Sequence, residues 1–169
     1  MASNDHRDIL VQPLTAAAFA AFGEVIEADG APTKLINRGM CERFSDLARL
    51  DFADDGRAGI SIFRAKPYAL PLLVDMVEQH PQGSQAFLPL SQDPFLVIVA
   101  LDDNGRPGIP QAFMTRPGQG VNYRKGTWHG VLTPLERAAL FAVVDRIGPG
   151  DNLIEHLFDT PYRVLGEKT

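Results

Sequence analysis

The sequence predicts an all-β protein of the antiparallel sandwich or barrel class. Short apolar or alternating segments recur along the chain, turn signals separate them, and no long helix intervenes. The 15 glycines and 13 prolines spread over 169 residues leave little uninterrupted chain for interior helices.

The first element is helical. Thr15 can cap a helix over Thr15 to Phe22, in which five alanines favour the helical state and Phe19 and Phe22 mark one face. Gly23 stops it, and a helix so short must dock on a larger body. Strands are then expected at Glu24 to Glu27, Gly59 to Arg64, Ala86 to Leu90, Phe95 to Leu101, Gln111 to Thr115 and Ala138 to Asp145. Turns are expected at Asp54-Asp55-Gly56, His80-Pro81, Asp93-Pro94, Asn104-Gly105, Arg116-Pro117-Gly118 and Gly148-Pro149-Gly150. Single helical turns are expected at Cys41 to Leu47 and Asn152 to Phe158. The run Phe95 to Ala100 is apolar at every position and reads as a strand buried on both faces. No repeat or linker divides the sequence, so residues 1–169 are expected to form one domain.

Composition narrows the function. Hydrophobic residues make up 45 % and charged residues 22 %, with a mean hydropathy of −0.07, the balance of a soluble globular chain. The formal charge of −5 repels nucleic acid and anionic lipid but leaves room for a small anionic substrate met by a few convergent cations. A lone cysteine, Cys41, removes intrachain disulfides and cysteine-rich zinc sites, which fits a reducing cytoplasm. The polar start, Met1 to Ile9, lacks a signal-peptide core, and Phe95 to Leu101 is too short to cross a bilayer. His6 falls in this terminus, which is expected to fray.

Two segments carry candidate chemistry. In Glu78-Gln79-His80-Pro81 a strand would direct Glu78 and His80 to one face, and Gly83 would let the chain return Gln85 toward them. Such a carboxylate, imidazole and amide can hold a divalent metal or orient a polar substrate; the competing description is a solvated turn with an ordinary histidine. In Gly120 to His129, Asn122 and Arg124 alternate with Val121 and Tyr123, and Trp128 and His129 follow a tight return at Gly126. A site histidine beside a core tryptophan competes here with a hairpin whose histidine makes one structural hydrogen bond. Arg64, after Ile60 to Phe63, suits bidentate binding of a substrate carboxylate, against the plainer use of a surface ion pair. Arg38, Arg116, Arg124 and Lys125 are weaker candidates, and His156 reads as a surface or helix-end histidine. The phosphate-binding glycine loops, His-Glu-x-x-His and Gly-x-Ser-x-Gly are absent.

Taken in order, several pieces resemble the ureidoglycolate lyase family of the cupin superfamily. They are Ile36-Asn37-Arg38-Gly39 with Glu42-Arg43, Ile60 to Ala65, Glu78 to Pro81, Gly83 to Pro89, Phe95 to Ala100, Gln119 to Tyr123, Gly126 to His129 and Asp145-Arg146. The resemblance implies a cupin double-stranded β-helix, a jelly-roll barrel with a few short peripheral helices, in a homodimer. It implies cleavage of (S)-ureidoglycolate to glyoxylate and urea in allantoin degradation, with a divalent metal such as nickel or manganese. By comparison with the cupin pattern, Glu78, His80, Gln85 and His129 take the places of the metal ligands. His80 and His129 would serve catalysis, and Asn37, Arg38, Arg64, Gln85, Asn122 and Trp128 would bind substrate. The chain departs from the family in having Gly130 where a second histidine often follows the first. A metal cupin acting on another small hydroxy or keto acid, and a non-enzymatic metabolite-binding cupin, are the alternatives.

Overall fold

A computed structural model describes residues 7–166. His6 lies outside the described residues. In chain order the elements begin with β1 (Arg7–Pro13), α1 (Ala16–Phe19) and β2 (Gly23–Ile26). A hairpin of β3 (Lys34–Ile36) and β4 (Cys41–Arg43) follows, joined by a 3-10 turn at Asn37–Gly39. Then come β5 (Arg57–Ala65), β6 (Leu72–Gln79), β7 (Gln85–Pro89), β8 (Phe95–Ala100), β9 (Asp102–Asp103) and β10 (Arg106–Pro107). The chain continues through β11 (Gln111–Met114), β12 (Gly120–Tyr123), β13 (Trp128–His129), β14 (Thr133–Pro134), β15 (Ala139–Ile147) and β16 (Ile154–Leu165).

One sheet runs β11-β1-β16-β6-β13-β8-β14, and β11 also pairs with β8. That extra pairing closes β8, β11, β1, β16, β6 and β13 into a six-stranded barrel. The barrel is mixed, because β1 runs parallel to both β11 and β16 while the other pairings are antiparallel. A second, antiparallel sheet runs β2-β12-β7-β15-β5 and packs on one side of the barrel. The arrangement is a jelly roll of the cupin type.

β8 explains how the layers join. Phe95, Val97 and Val99 point toward the second sheet and pack with Phe87, Val121, Phe141 and Val143. Leu96, Ile98 and Ala100 point into the barrel with Val77, Trp128 and Val164. All six β8 residues are therefore buried, as an uninterrupted apolar run requires. Burying each large apolar side chain contributes about 1.5–3 kcal/mol, so this strand is the principal tie between the two cores.

The helix is shorter than the sequence predicts. Thr15 caps it by accepting a hydrogen bond from the Ala18 amide at 3.2 Å, but helical geometry ends at Phe19 and the chain turns through Phe22. Phe19 and Phe22 still anchor it, packed against Phe113 and buried in the inter-sheet core. Two helical expectations are overturned. Cys41 to Leu47 begins as β4, held by pairing with β3, and Asn152 to Phe158 belongs mostly to β16, held by β6. The β16 ladder shifts register between Leu157 and Tyr162, and Leu157 faces solvent. Its sequence therefore lacks a clean two-residue alternation. The peripheral helical content reduces to α1 and the 3-10 turn among the described residues.

Candidate functional site

Between the barrel and the second sheet lies a cavity of about 410 Å³. Its polar end is built by β6 and β13. Their register pairs His129 with Glu78, so both side chains share the face directed at the second sheet. His80 leaves β6 two residues after Glu78 and reaches the same side. The ring centroids of His80 and His129 lie 5.2 Å apart, and Tyr123 of β12 stacks on His129 with a centroid separation of 4.3 Å and an interplanar angle of 4°. Glu78 Oε1 lies 3.9 Å from His80 Nε2 and 4.0 Å from His129 Nδ1.

Backbone carbonyls set how the imidazoles present themselves. His80 Nδ1 lies 2.6 Å from the Asn152 carbonyl, and His129 Nδ1 lies 3.0 Å from that of Gly130. A carbonyl only accepts, so each Nδ1 carries the proton and each Nε2 keeps its lone pair in the neutral ring. Asn152 is itself fixed, its side-chain oxygen accepting from the Gln82 amide at 2.8 Å. Burial pulls the His129 imidazole down to about 3, outweighing the opposing Gly130 hydrogen bond, while the positive charge of His80 lowers it further. His129 is thus neutral near pH 7. Burial raises the Glu78 carboxyl; the His80 charge opposes that shift and Glu155 adds to it. The Tyr123 phenol is also pushed up by burial, with Glu78 contributing, and stays protonated.

These residues fit a metal. The ligand atoms of Glu78, His80 and His129 all lie within 4.8 Å of one another. His80 Nε2, His129 Nε2, Gln85 Oε1 and Asp145 Oδ1 are buried without a hydrogen-bond partner among the described residues. An imidazole pair whose Nε2 atoms are unengaged, a carboxylate and an amide oxygen form a donor set suited to a divalent transition ion.

The structure thus brings Glu78, His80, Gln85 and His129 to one cavity. It does not bring the other expected substrate contacts there. Arg64 is exposed on β5, where the inward neighbour Phe63 lines the cavity and the alternation of the strand turns Arg64 to the outer surface. Asn122 is buried on the far face of β12, donating to Glu24 at 2.7 Å and to the Arg49 carbonyl at 3.1 Å. Trp128 packs in the barrel interior and donates from Nε1 to Asp102 at 2.9 Å. Asn37 and Arg38 are exposed on the 3-10 turn between β3 and β4, both at positive φ.

On β12 the polar Asn122 side chain faces away from the cavity, toward Glu24 and the Arg49 carbonyl. Tyr123, on the apparently apolar side, lines the cavity instead of Asn122. Asp145 also lines it, and its signal was a lone charge at the inward position after Phe141 and Val143. Gly130 removes no ligand, because a Cβ there would lie 3.0 Å from the Ile98 Cβ, on the barrel side.

The ureidoglycolate lyase family model matches residues 6–165. The chain belongs to the ureidoglycolate lyase family. It is 54 % identical over 159 residues to the ureidoglycolate lyase of Chelativorans sp. (strain BNC1), covering 94 % of this chain and 96 % of the relative. It is 55 % identical over 158 residues to that of Rhodobacter capsulatus, covering 94 % and 98 %. Ureidoglycolate lyase 2 of Rhizobium meliloti is 51 % identical over 155 residues, covering 91 % and 95 %. Family membership thus extends over the strands that build the cavity, including β6, β13 and β15.

Proposed function

We propose that this chain cleaves (S)-ureidoglycolate to glyoxylate and urea. The observation that carries the reading is a pair of imidazoles whose Nε2 atoms are buried and unengaged, beside a carboxylate, in a cavity sized for a small molecule, within a chain of this family. Cleavage moves few atoms. The carbinol hydroxyl loses its proton, its carbon becomes an aldehyde as the carbon–nitrogen bond breaks, and the departing urea nitrogen gains a proton.

His80 is the residue suited to move that proton. Its Nδ1–H is tied to the Asn152 carbonyl, so Nε2 accepts the hydroxyl proton and returns it to the nitrogen. His129, kept neutral by burial, holds and orients the reacting group. The Tyr123 ring stacked on it fixes the imidazole plane. Among the described residues no lysine or arginine lines the cavity, so none of them meets the substrate charge with a guanidinium or ammonium from the cavity wall.

A divalent ion, nickel or manganese being the candidates, would be held by Glu78, His80 and His129 with Gln85 Oε1. When bound, it supplies positive charge to the substrate's carboxylate and hydroxyl. Ligation and proton transfer compete for the one lone pair of His80. Incubation with racemic ureidoglycolate before and after chelation, with glyoxylate, urea and the residual enantiomer measured, tests the reaction and separates these roles. Consumption of one enantiomer with equal glyoxylate and urea is expected. Activity that survives chelation assigns proton transfer to His80, whereas activity lost with the ion and restored by its return assigns His80 to ligation. Absence of urea under both conditions overturns the reading.

The protein also suits a homodimer. β5 is an edge strand of the second sheet, and Ile60 and Ile62 on its outer face are 80 % and 59 % exposed. An apolar edge of this kind is stabilised by a second copy.

A further inference from the structure

The cavity holds a further carboxylate outside the Glu78, His80 and His129 cluster. Asp145 stands on β15, where the register that pairs Val143 with Phe87 and Val144 with Ala86 brings it beside Gln85. Its Oδ2 accepts from Gln85 Nε2 at 3.4 Å, while Oδ1 is buried without a hydrogen-bond partner among the described residues. Asp145 is not one of the three residues whose ligand atoms cluster within 4.8 Å. Around it the wall is apolar, formed by Phe63, Phe87 and Leu153. A carboxylate oxygen in such surroundings calls for a donor, and among the described residues no lysine or arginine lines the cavity to supply one.

We propose that Asp145 is the ureido-binding residue of this site, its Oδ1 accepting N–H hydrogen bonds from the urea portion of the substrate. The inference rests on the ureidoglycolate reading and adds the substrate's orientation. Ureidoglycolate has N–H donors at one end and acidic oxygens at the other. A carboxylate is an acceptor at both oxygens, so Asp145 takes the donor end. The carboxylate and hydroxyl are thereby left to the histidine end. Asp145 Oδ2 has a positioning task as well: by holding Gln85 Nε2 it leaves Gln85 Oε1 as the unengaged atom of that amide.

Asp145→Asn separates these contacts. The Gln85 Nε2 donor would hold the new amide oxygen, turning the new NH2 group toward the substrate's own N–H groups. Two uncleavable probes read the result by calorimetry: N-carbamoylglycine, which has the ureido group and the carboxylate, and glycolate, which lacks the ureido group. N-carbamoylglycine should bind the variant roughly 10- to 100-fold more weakly, the loss of a hydrogen bond to a charged group. Glycolate binding and bound metal content should each change by less than about twofold, since glycolate offers no N–H to Asp145 and the variant's amide oxygen keeps the Gln85 Nε2 contact.

Equal weakening of both probes, unchanged N-carbamoylglycine binding, or a native protein that binds no N-carbamoylglycine overturns the assignment. If Asp145→Asn binds neither probe, Asp145→Glu decides. A retained preference for N-carbamoylglycine over glycolate supports the assignment, and loss of that preference rejects it. A native protein that binds N-carbamoylglycine but releases no urea from ureidoglycolate refutes the lyase reading and leaves the ureido contact standing.

Discussion

His129 is the most heavily constrained residue of the site: buried, stacked on Tyr123, and hydrogen-bonded at Nδ1. Its imidazole is pulled from 6.5 to about 3 by burial. Between those values the unfolded chain binds a proton that the folded one refuses, so stability falls as pH drops through this window. The slope from this residue approaches about 1.4 kcal/mol per pH unit. Glu78 acts in the opposite sense. Its raised pKa favours the folded state as pH falls toward 4.5, where the unfolded carboxyl also protonates. Denaturation of chelated protein from pH 7 to 4 should show net acid destabilisation, and His129→Gln should flatten it. A wild-type stability that is level over this range contradicts the burial argument.

Two further residues sharpen the boundary of the site. Arg64 faces outward on β5, so Arg64→Leu should leave the substrate concentration for half-saturation within about twofold, because no charge-assisted contact is lost. A tenfold rise would place that guanidinium in the site. Gly130→His should not raise turnover, because its Cβ direction leads to Ile98 and away from the imidazole pair.

At the scale of elements, β15 links the cavity to a buried clamp. Asp145 faces the cavity, and the next residue, Arg146, is buried on the other face. The Arg146 guanidinium donates to the Pro149 carbonyl at 3.1 Å and pairs with Asp55, tying the turns on either side. Gly83 makes room for it: a Cβ there would meet the Arg146 Cβ at 2.7 Å and the Phe52 ring at 3.0 Å. Gly83→Ala should therefore destabilise by about 1–3 kcal/mol, the usual cost of overpacking, read from chemical denaturation. A loss below about 0.5 kcal/mol would show that the clamp yields.

Sequence made some of these elements legible and hid others for identifiable reasons. Phe95 to Ala100 was readable because a strand buried on both faces is apolar throughout. β1 and β16 were not, since their pairing is parallel and long-range, and tertiary pairing leaves little local pattern. Glu78, His80 and Gln85 could be gathered from spacing, whereas the meeting of β6 with β13 needed the resemblance to a known family. Asn122 is expected to bind substrate, but its place in the fold is set by its neighbours. Here the polar face of β12 is covered by Glu24 and the Arg49 backbone, and the aromatic face carries Tyr123 into the cavity.

For the whole molecule, the closed barrel fixes one wall of the cavity and the second sheet the other, so the site depends on both cores. The outer face of β5 lies outside this arrangement. If it joins two copies, Ile60→Lys with Ile62→Lys should convert a dimer to a monomer in sedimentation without unfolding either core, and an unchanged sedimentation coefficient would place the interface elsewhere. The catalytic account itself turns on the two imidazoles acting in one cavity. The most direct measurement is urea and glyoxylate release by wild type, His80→Ala and His129→Ala side by side, with folding verified for each. Losses of about 10²- to 10⁴-fold in both variants are expected for groups that hold and move the reacting proton. Wild-type turnover in both folded variants would contradict the account.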